Sequence, residues 1–130
     1  MNNLTVGIFK RPPFKDIILL SVKGSINATT APKFERKFRS ALLDNKLRLV
    51  VGLRGVHYIC TAGWVIFLNE INGIRNRGGD LVLAGMKPGV LDVFRRLEFD
   101  SIFKFFPNVE SAVKRGFKTP TAGKNTDFNL

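Results

Sequence analysis

The sequence predicts a single α/β domain built on a mixed, largely parallel β-sheet of about five strands with about four helices, and three observations carry that prediction. Short apolar runs rich in β-branched residues, such as Asp16 to Lys23 and Arg48 to Leu53, suit strands covered on both faces. Between them lie segments with apolar residues three and four apart, the pattern of helices with one buried face. The two kinds of segment alternate, and alternation builds parallel strands joined by helical crossovers. A length of 130 residues suits one domain, and 45% apolar residues with twelve Phe supply a packed core. The domain is expected over residues 1–117, with a flexible C-terminal tail over 118–130.

Leu4 to Phe9 predicts a short edge strand, ended by Lys10-Arg11-Pro12-Pro13 because proline has no N–H for the ladder. The second strand runs from Asp16 to Lys23 and is expected to close at Gly24. Ala31, Phe34, Phe38, Ala41 and Leu42 form the stripe of a first helix reaching about Asn45. Asn27, Thr29 and Thr30 offer capping oxygens before it, and Pro32 is tolerated in its first turn. Arg48 to Leu53 is a third strand, which Val56 to Ile59 extends or follows. Trp64, Phe67, Leu68, Ile71 and Ile74 mark a second helix, ended by Gly78-Gly79-Asp80. Val65 and Ile66 make its first turn apolar all round, so its start is expected to be buried. Leu81 to Ala84 is a fourth strand, and Val90, Val93, Phe94 and Leu97 form the stripe of a short helix introduced by Pro88-Gly89. Ile102 to Phe106 is a last strand, and Val109, Ala112 and Val113 face the core from a terminal helix that frays near Gly116.

The start of the chain lacks the pattern of a signal peptide, and no apolar run approaches the roughly 20 residues needed to span a bilayer. A soluble, cytoplasmic protein without membrane association is expected. Cys60 is the only cysteine, which excludes an internal disulfide and a Cys-rich metal site. The formal charge of +11 sets up a positive potential that attracts nucleic acid, an anionic membrane or an acidic protein. The basic residues are scattered over the N-terminal arm, the first helix (Lys33, Arg36, Lys37, Arg39) and the C-terminal end, with no dense tract.

Several short motifs recur in one order: Gly24-Ser25-Ile26-Asn27 after the second strand, the strand from Leu49 to Ile59, the turn Cys60-Thr61-Ala62-Gly63, and Gly78 to Gly85. With these the chain resembles the STAS domain, the sulfate transporter and anti-sigma factor antagonist module, from about Leu4 to Gly116. The resemblance implies a non-catalytic regulator that binds an anti-sigma factor acting as a serine-threonine kinase, frees the sigma factor, and is switched off by phosphorylation in the turn. The phosphorylated hydroxyl would be Thr61, and the partner surface would comprise Asn27, Tyr58, Cys60, Thr61, Ala62, Gly63 and Trp64. No cofactor is implied. Phosphorylated members of the family usually carry an Asp immediately before the phosphorylated residue and another in the preceding strand. This chain has Cys60 and Gly52 there, with Arg54 and His57 as further non-acidic groups. Neutral-to-basic surroundings and the net charge together point to a partner with an acidic face. A purely structural role for Thr61 is that its hydroxyl caps the second helix, worth about 1 kcal/mol.

A catalytic reading would start from Cys60 at a helix start with His57 three residues away. A phosphatase-type Cys-x5-Arg loop, however, needs Arg where Ile66 stands, and no Gly-x4-Gly-Lys loop occurs. His57 is the only histidine, so no metal is expected. A basic nucleic-acid-binding module is the alternative function, motivated by the charge. It lacks a recognition motif, and no exposed aromatic platform is expected because the Phe residues fall on core stripes. Nucleic acid is therefore not the expected partner.

Overall fold

The computed structural model describes residues 3–11, 14–43 and 48–117. The expected tail, the Pro12-Pro13 turn and the helix stop at Asn45 lie outside the described residues. Strands β1 (Leu4–Arg11), β2 (Phe14–Ile26), β3 (Arg48–Ile59), β4 (Asp80–Ala84) and β5 (Lys104–Phe106) form one sheet in the order β1-β2-β3-β4-β5. β1 runs antiparallel to β2, and all other neighbours are parallel. The helices are α1 (Ala31–Leu42), α2 (Thr61–Asn76), α3 (Pro88–Arg96) and α4 (Val109–Arg115), with one 3-10 turn at Phe99–Ser101.

A strand order that advances in one direction, with crossovers of one hand, places every crossover helix on the same face. Accordingly α1, α2 and α3 share one core, in which Phe34, Phe38, Phe67 and Phe94 meet Leu20, Val51 and Leu81 of the sheet. On the other face Ala112 and Val113 of α4 pack on Ile17, Val50 and Val82. With seven residues α4 is about 10 Å long, too short to cover that face, and the β1–β2 side of it is left open. Phe9 stands there 53% exposed, so an aromatic ring does lie on the surface, contrary to the expectation from the core stripes.

β2 does not close at Gly24. That residue adopts φ 111°, where a β-carbon would collide with the Asn3 carbonyl, and glycine carries the strand on to Ile26. β3 is one continuous strand with two bulges. Ser21 and Lys23, two apart on β2, pair with Gly52 and Gly55, three apart on β3; Gly24 and Ser25 pair with Val56 and Tyr58. Each extra residue resets the alternation. Leu53, Val56 and Ile59 therefore enter the core at steps of three, while Arg54, His57 and Tyr58 are turned outward.

Before α1 the cap position belongs to Thr30, which makes no side-chain bond to the helix, so the expected capping by Asn27, Thr29 or Thr30 is replaced by an Asn27 turn whose Oδ1 accepts from the N–H groups of Thr29 (2.9 Å) and Thr30 (3.0 Å). The Thr30 hydroxyl donates to the Ser25 carbonyl at 2.6 Å and accepts from Asn27 N–H at 2.9 Å, which fixes the loop. At α2 the cap position belongs to Cys60, in extended backbone (φ −80°, ψ 173°), and no side chain caps the helix. Thr61 is already helical, so it cannot play the capping role expected of it. Gly63 lets the helix approach the sheet, since a β-carbon there would stand 2.7 Å from Ile26 and 2.8 Å from Ile59. Trp64 follows, 3% exposed. The start of α2 is nonetheless not buried all round, because Val65 is 41% exposed.

Replacing Trp64 with Ala removes the largest side chain of this packing and is expected to lower stability by about 3–5 kcal/mol, read as a fall in the urea midpoint. Replacing Cys60 with Asp supplies the missing cap in a backbone already suited to it. It is expected to raise stability by about 0.5–2 kcal/mol in the same measurement.

Candidate functional site

The turn from Tyr58 to Trp64 opens onto a groove of about 330 Å³ between α2 and α3. Tyr58, Cys60, Thr61 and Trp64 form one wall, and Val93 of α3 with Leu97 at its C-cap forms the other. The turn is tied to the sheet by Cys60 N–H, which donates to the Ile26 carbonyl at 2.8 Å. The Cys60 carbonyl accepts from Gly63 N–H (3.0 Å) and Trp64 N–H (3.1 Å), starting the helix.

The surface of the groove is amphipathic. Tyr58 is 54% exposed, and Val93 and Leu97, expected in the core, are 40% and 49% exposed. α3 is introduced by Pro88 and buries only Val90 and Phe94, so the remainder of its apolar stripe is turned to the groove instead of the sheet. Thr61 is exposed in the first turn of α2, where backbone N–H groups and the helix dipole favour negative charge. Among the described residues no acidic side chain lines the groove, and His57 is the one imidazole there.

Of the expected partner-surface residues, the structure brings Tyr58, Cys60, Thr61 and Trp64 together on this groove. Ala62 is exposed beside them. Gly63 is buried and serves the packing of α2 on Ile26 and Ile59. Trp64 belongs to the core, with its ring 5.3 Å from Phe99 and 5.9 Å from Phe94, and it forms the floor of the groove more than its rim. Asn27 stands in the neighbouring loop, its carboxamide oxygen engaged by that loop's own N–H groups. The sequence reading missed Val93 and Leu97. Their spacing of four marks a helical stripe equally well whether it faces a core or a groove.

Among the described residues no three His, Cys, Asp or Glu side chains gather as a metal site would require, and no helix is long and apolar enough to cross a membrane. One described ion pair, Arg96–Asp92 (2.9 Å), lies on α3 beside the groove, and three others tie the strand starts. Arg48–Asp16 (3.2 Å), Arg75–Asp80 (3.0 Å) and Lys104–Asp80 (3.3 Å) join the first residues of β3, β4 and β5 to their neighbours.

Residues 12–112 match the STAS domain model. The chain is 30% identical over 103 residues, 79% of its length and 88% of the relative's, to BtrV of Bordetella bronchiseptica, designated an anti-sigma factor antagonist. It is 28% identical over 108 residues, 83% of its length and 92% of the relative's, to the anti-sigma-B factor antagonist of Listeria monocytogenes. The crystal structure of the Thermotoga maritima protein tm1081 superposes with a TM-score of 0.77 at 18% identity, covering 87% of this chain and 95% of that one. On its sheet order, its helix layer and this match over most of its length, the chain belongs to the STAS domain family.

Proposed function

We propose that this chain is an anti-sigma factor antagonist: a non-catalytic regulator that works in the cytoplasm by binding an anti-sigma factor with serine-threonine kinase activity, and that phosphate on Thr61 breaks the complex. The observation that carries this reading is the placement of Thr61. Its hydroxyl is exposed on the rim of an amphipathic groove and makes no hydrogen bond within the described residues, so a kinase can reach it without unfolding anything. The names of the relatives at 28–30% identity support the same class.

The energetics suit a switch. Tyr58, Val93 and Leu97 offer apolar surface that a partner desolvates on binding. A phosphothreonine adds about −1.5 to −2 charge at the edge of that surface. In the free protein the start of α2 favours the charge by about 0.3–1 kcal/mol, so the fold tolerates it. In the complex the same charge is stripped of water. A repulsion of about 3 kcal/mol is then roughly a hundredfold in affinity. The phosphate is thus easily borne by one state and opposed by the other, which is what a switch requires.

Thr61→Glu is expected to leave the melting temperature unchanged or slightly raised while weakening the cognate anti-sigma kinase roughly tenfold or more in isothermal titration. Thr61→Ala is expected to bind like the wild type and to change stability by no more than about 0.5 kcal/mol, since the hydroxyl is not a cap. Undiminished affinity of the Glu variant would overturn the switch, and phosphopeptide mass spectrometry after incubation with the kinase and ATP tests the modification itself.

A further inference from the structure

The half-open face of the sheet carries a second concavity, of about 480 Å³, midway along β2 and β3, where the shorter β4 ends beside Gly52. Its floor is Leu19, Gly52 and Val109, and its rim is Lys23, Arg54 and Lys87. Ser21, Val22 and Gly55 line the β2 and β3 sides, and among the described residues no acidic side chain lines it.

The three cations are seated by the backbone. The stem of Lys23 lies over Gly55, where a β-carbon would stand 2.7 Å from its Cγ, so only glycine leaves it room. Arg54 is turned outward by the bulge in β3 and packs against Gly85, whose φ of 74° is open to glycine. Lys87 stands just before α3. None of the three has an ion-pair or hydrogen-bond partner among the described residues. Arg39, Arg48, Arg75, Arg96 and Lys104, by contrast, all pair with the chain's own carboxylates.

We propose that this hollow is a docking site for an acidic segment of a protein partner, with carboxylates on the three cations and an apolar side chain on the Leu19–Val109 floor. Charge complementarity selects the occupant. Three unpaired cations around one concavity require anionic groups close together, and the apolar floor between them suits a peptide better than a sugar-phosphate backbone. Lys87 rims this hollow and Gly89, two residues on, lines the Thr61 groove, so one partner can span both. The assignment of the hollow stands without the reading of Thr61.

The test is fluorescence anisotropy of the full chain with a labelled peptide Glu-Leu-Glu-Glu-Leu-Glu. Binding is expected, and it is expected to weaken roughly tenfold or more in the triple variant Lys23→Ala/Arg54→Ala/Lys87→Ala. A control triple on the same scale, Arg36→Ala/Lys37→Ala/Lys114→Ala, removes the same charge elsewhere and is expected to change affinity by less than about threefold. Circular dichroism melts check that each variant is folded, and the single variants Arg54→Gln and Lys87→Gln, each expected to weaken binding, serve if the triple is not. Equal loss in both triples, or no binding by the wild type, would overturn the proposal. So would comparable binding of single-stranded DNA or phosphatidylserine vesicles that depends on the same three residues. Thr61→Glu is expected to leave peptide binding intact, which separates a failure of the hollow from a failure of the switch.

Discussion

The ring of Phe67 holds the helix layer together, and the position of the groove depends on it. It meets Phe34 at 5.5 Å, Phe38 at 5.8 Å, Trp64 at 6.0 Å and Phe103 at 6.3 Å, so that α1, α2 and the segment leading into β5 share one joint. Offset and edge-on aromatic pairs of this kind add about 0.5–1.5 kcal/mol each beyond the area they bury. Trp64 extends the joint to Phe94 and Phe99, one turn before Phe67 on the same helix. The first turn of α2 is thereby pinned from beneath. Its outward residues, Thr61 and Ala62, sit on a rigid support although they begin a helix without a side-chain cap. A recognition surface that a partner must find preformed needs such a support, because ordering it on binding would subtract from affinity.

One helix layer has a second consequence. Since all three crossovers cover the same face, the opposite face has only the short α4, and a fully buried parallel sheet is not achieved. The part of the sheet beyond the end of β4 therefore presents two concavities, the Thr61 groove on the helical side after β3 and the basic hollow on the open side beside the middle of β2 and β3. Open α/β sheets bind their ligands at this end. The distribution of charge follows the same division: the strand starts carry paired ions, Asp16 with Arg48 and Asp80 with both Arg75 and Lys104, whereas Lys23, Arg54 and Lys87 around the hollow stand unneutralised.

The sequence was informative wherever period decides structure. Strand and helix order, the stripe from Trp64 to Ile74 and the stop at Gly78 follow from spacing and from glycine at positive φ, and they recur in the structure. Features set by tertiary pairing and coverage were not legible. The bulges in β3 depend on its pairing with β2, a contact between segments about 30 residues apart that no local pattern records; Gly55 alone does not say that a lysine stem lies on it. The exposure of Val93 and Leu97 depends on how much of α3 the sheet covers, and burial of Val90 and Phe94 already satisfies that helix. Thr61, expected in a turn and as a possible cap, is instead the first residue of α2, because cap and first helical residue differ only in backbone conformation. The hollow draws its cations from three separate segments, which only the fold brings together.

The two positions at which this chain departs from the family's usual carboxylates act on different surfaces. Cys60 is at the cap of α2, where a carboxylate would accept backbone N–H groups and offset the positive end of the helix dipole. Without it the start of α2 stays uncompensated beside Thr61, ready for an anion from outside the fold. Gly52 lies instead in the hollow, where a β-carbon would stand 3.4 Å from Val109 and 3.6 Å from Leu19. A carboxylate added there would be crowded, partly desolvated and among the cations of the rim, neutralising part of their charge. Its absence leaves Lys23, Arg54 and Lys87 to an external partner. Both departures shift their own surface in the same direction, from self-neutralised to anion-seeking. Of the net charge of +11, three cations stand at the hollow, whereas the Thr61 groove is lined by no Lys or Arg among the described residues and offers an anion only the start of α2.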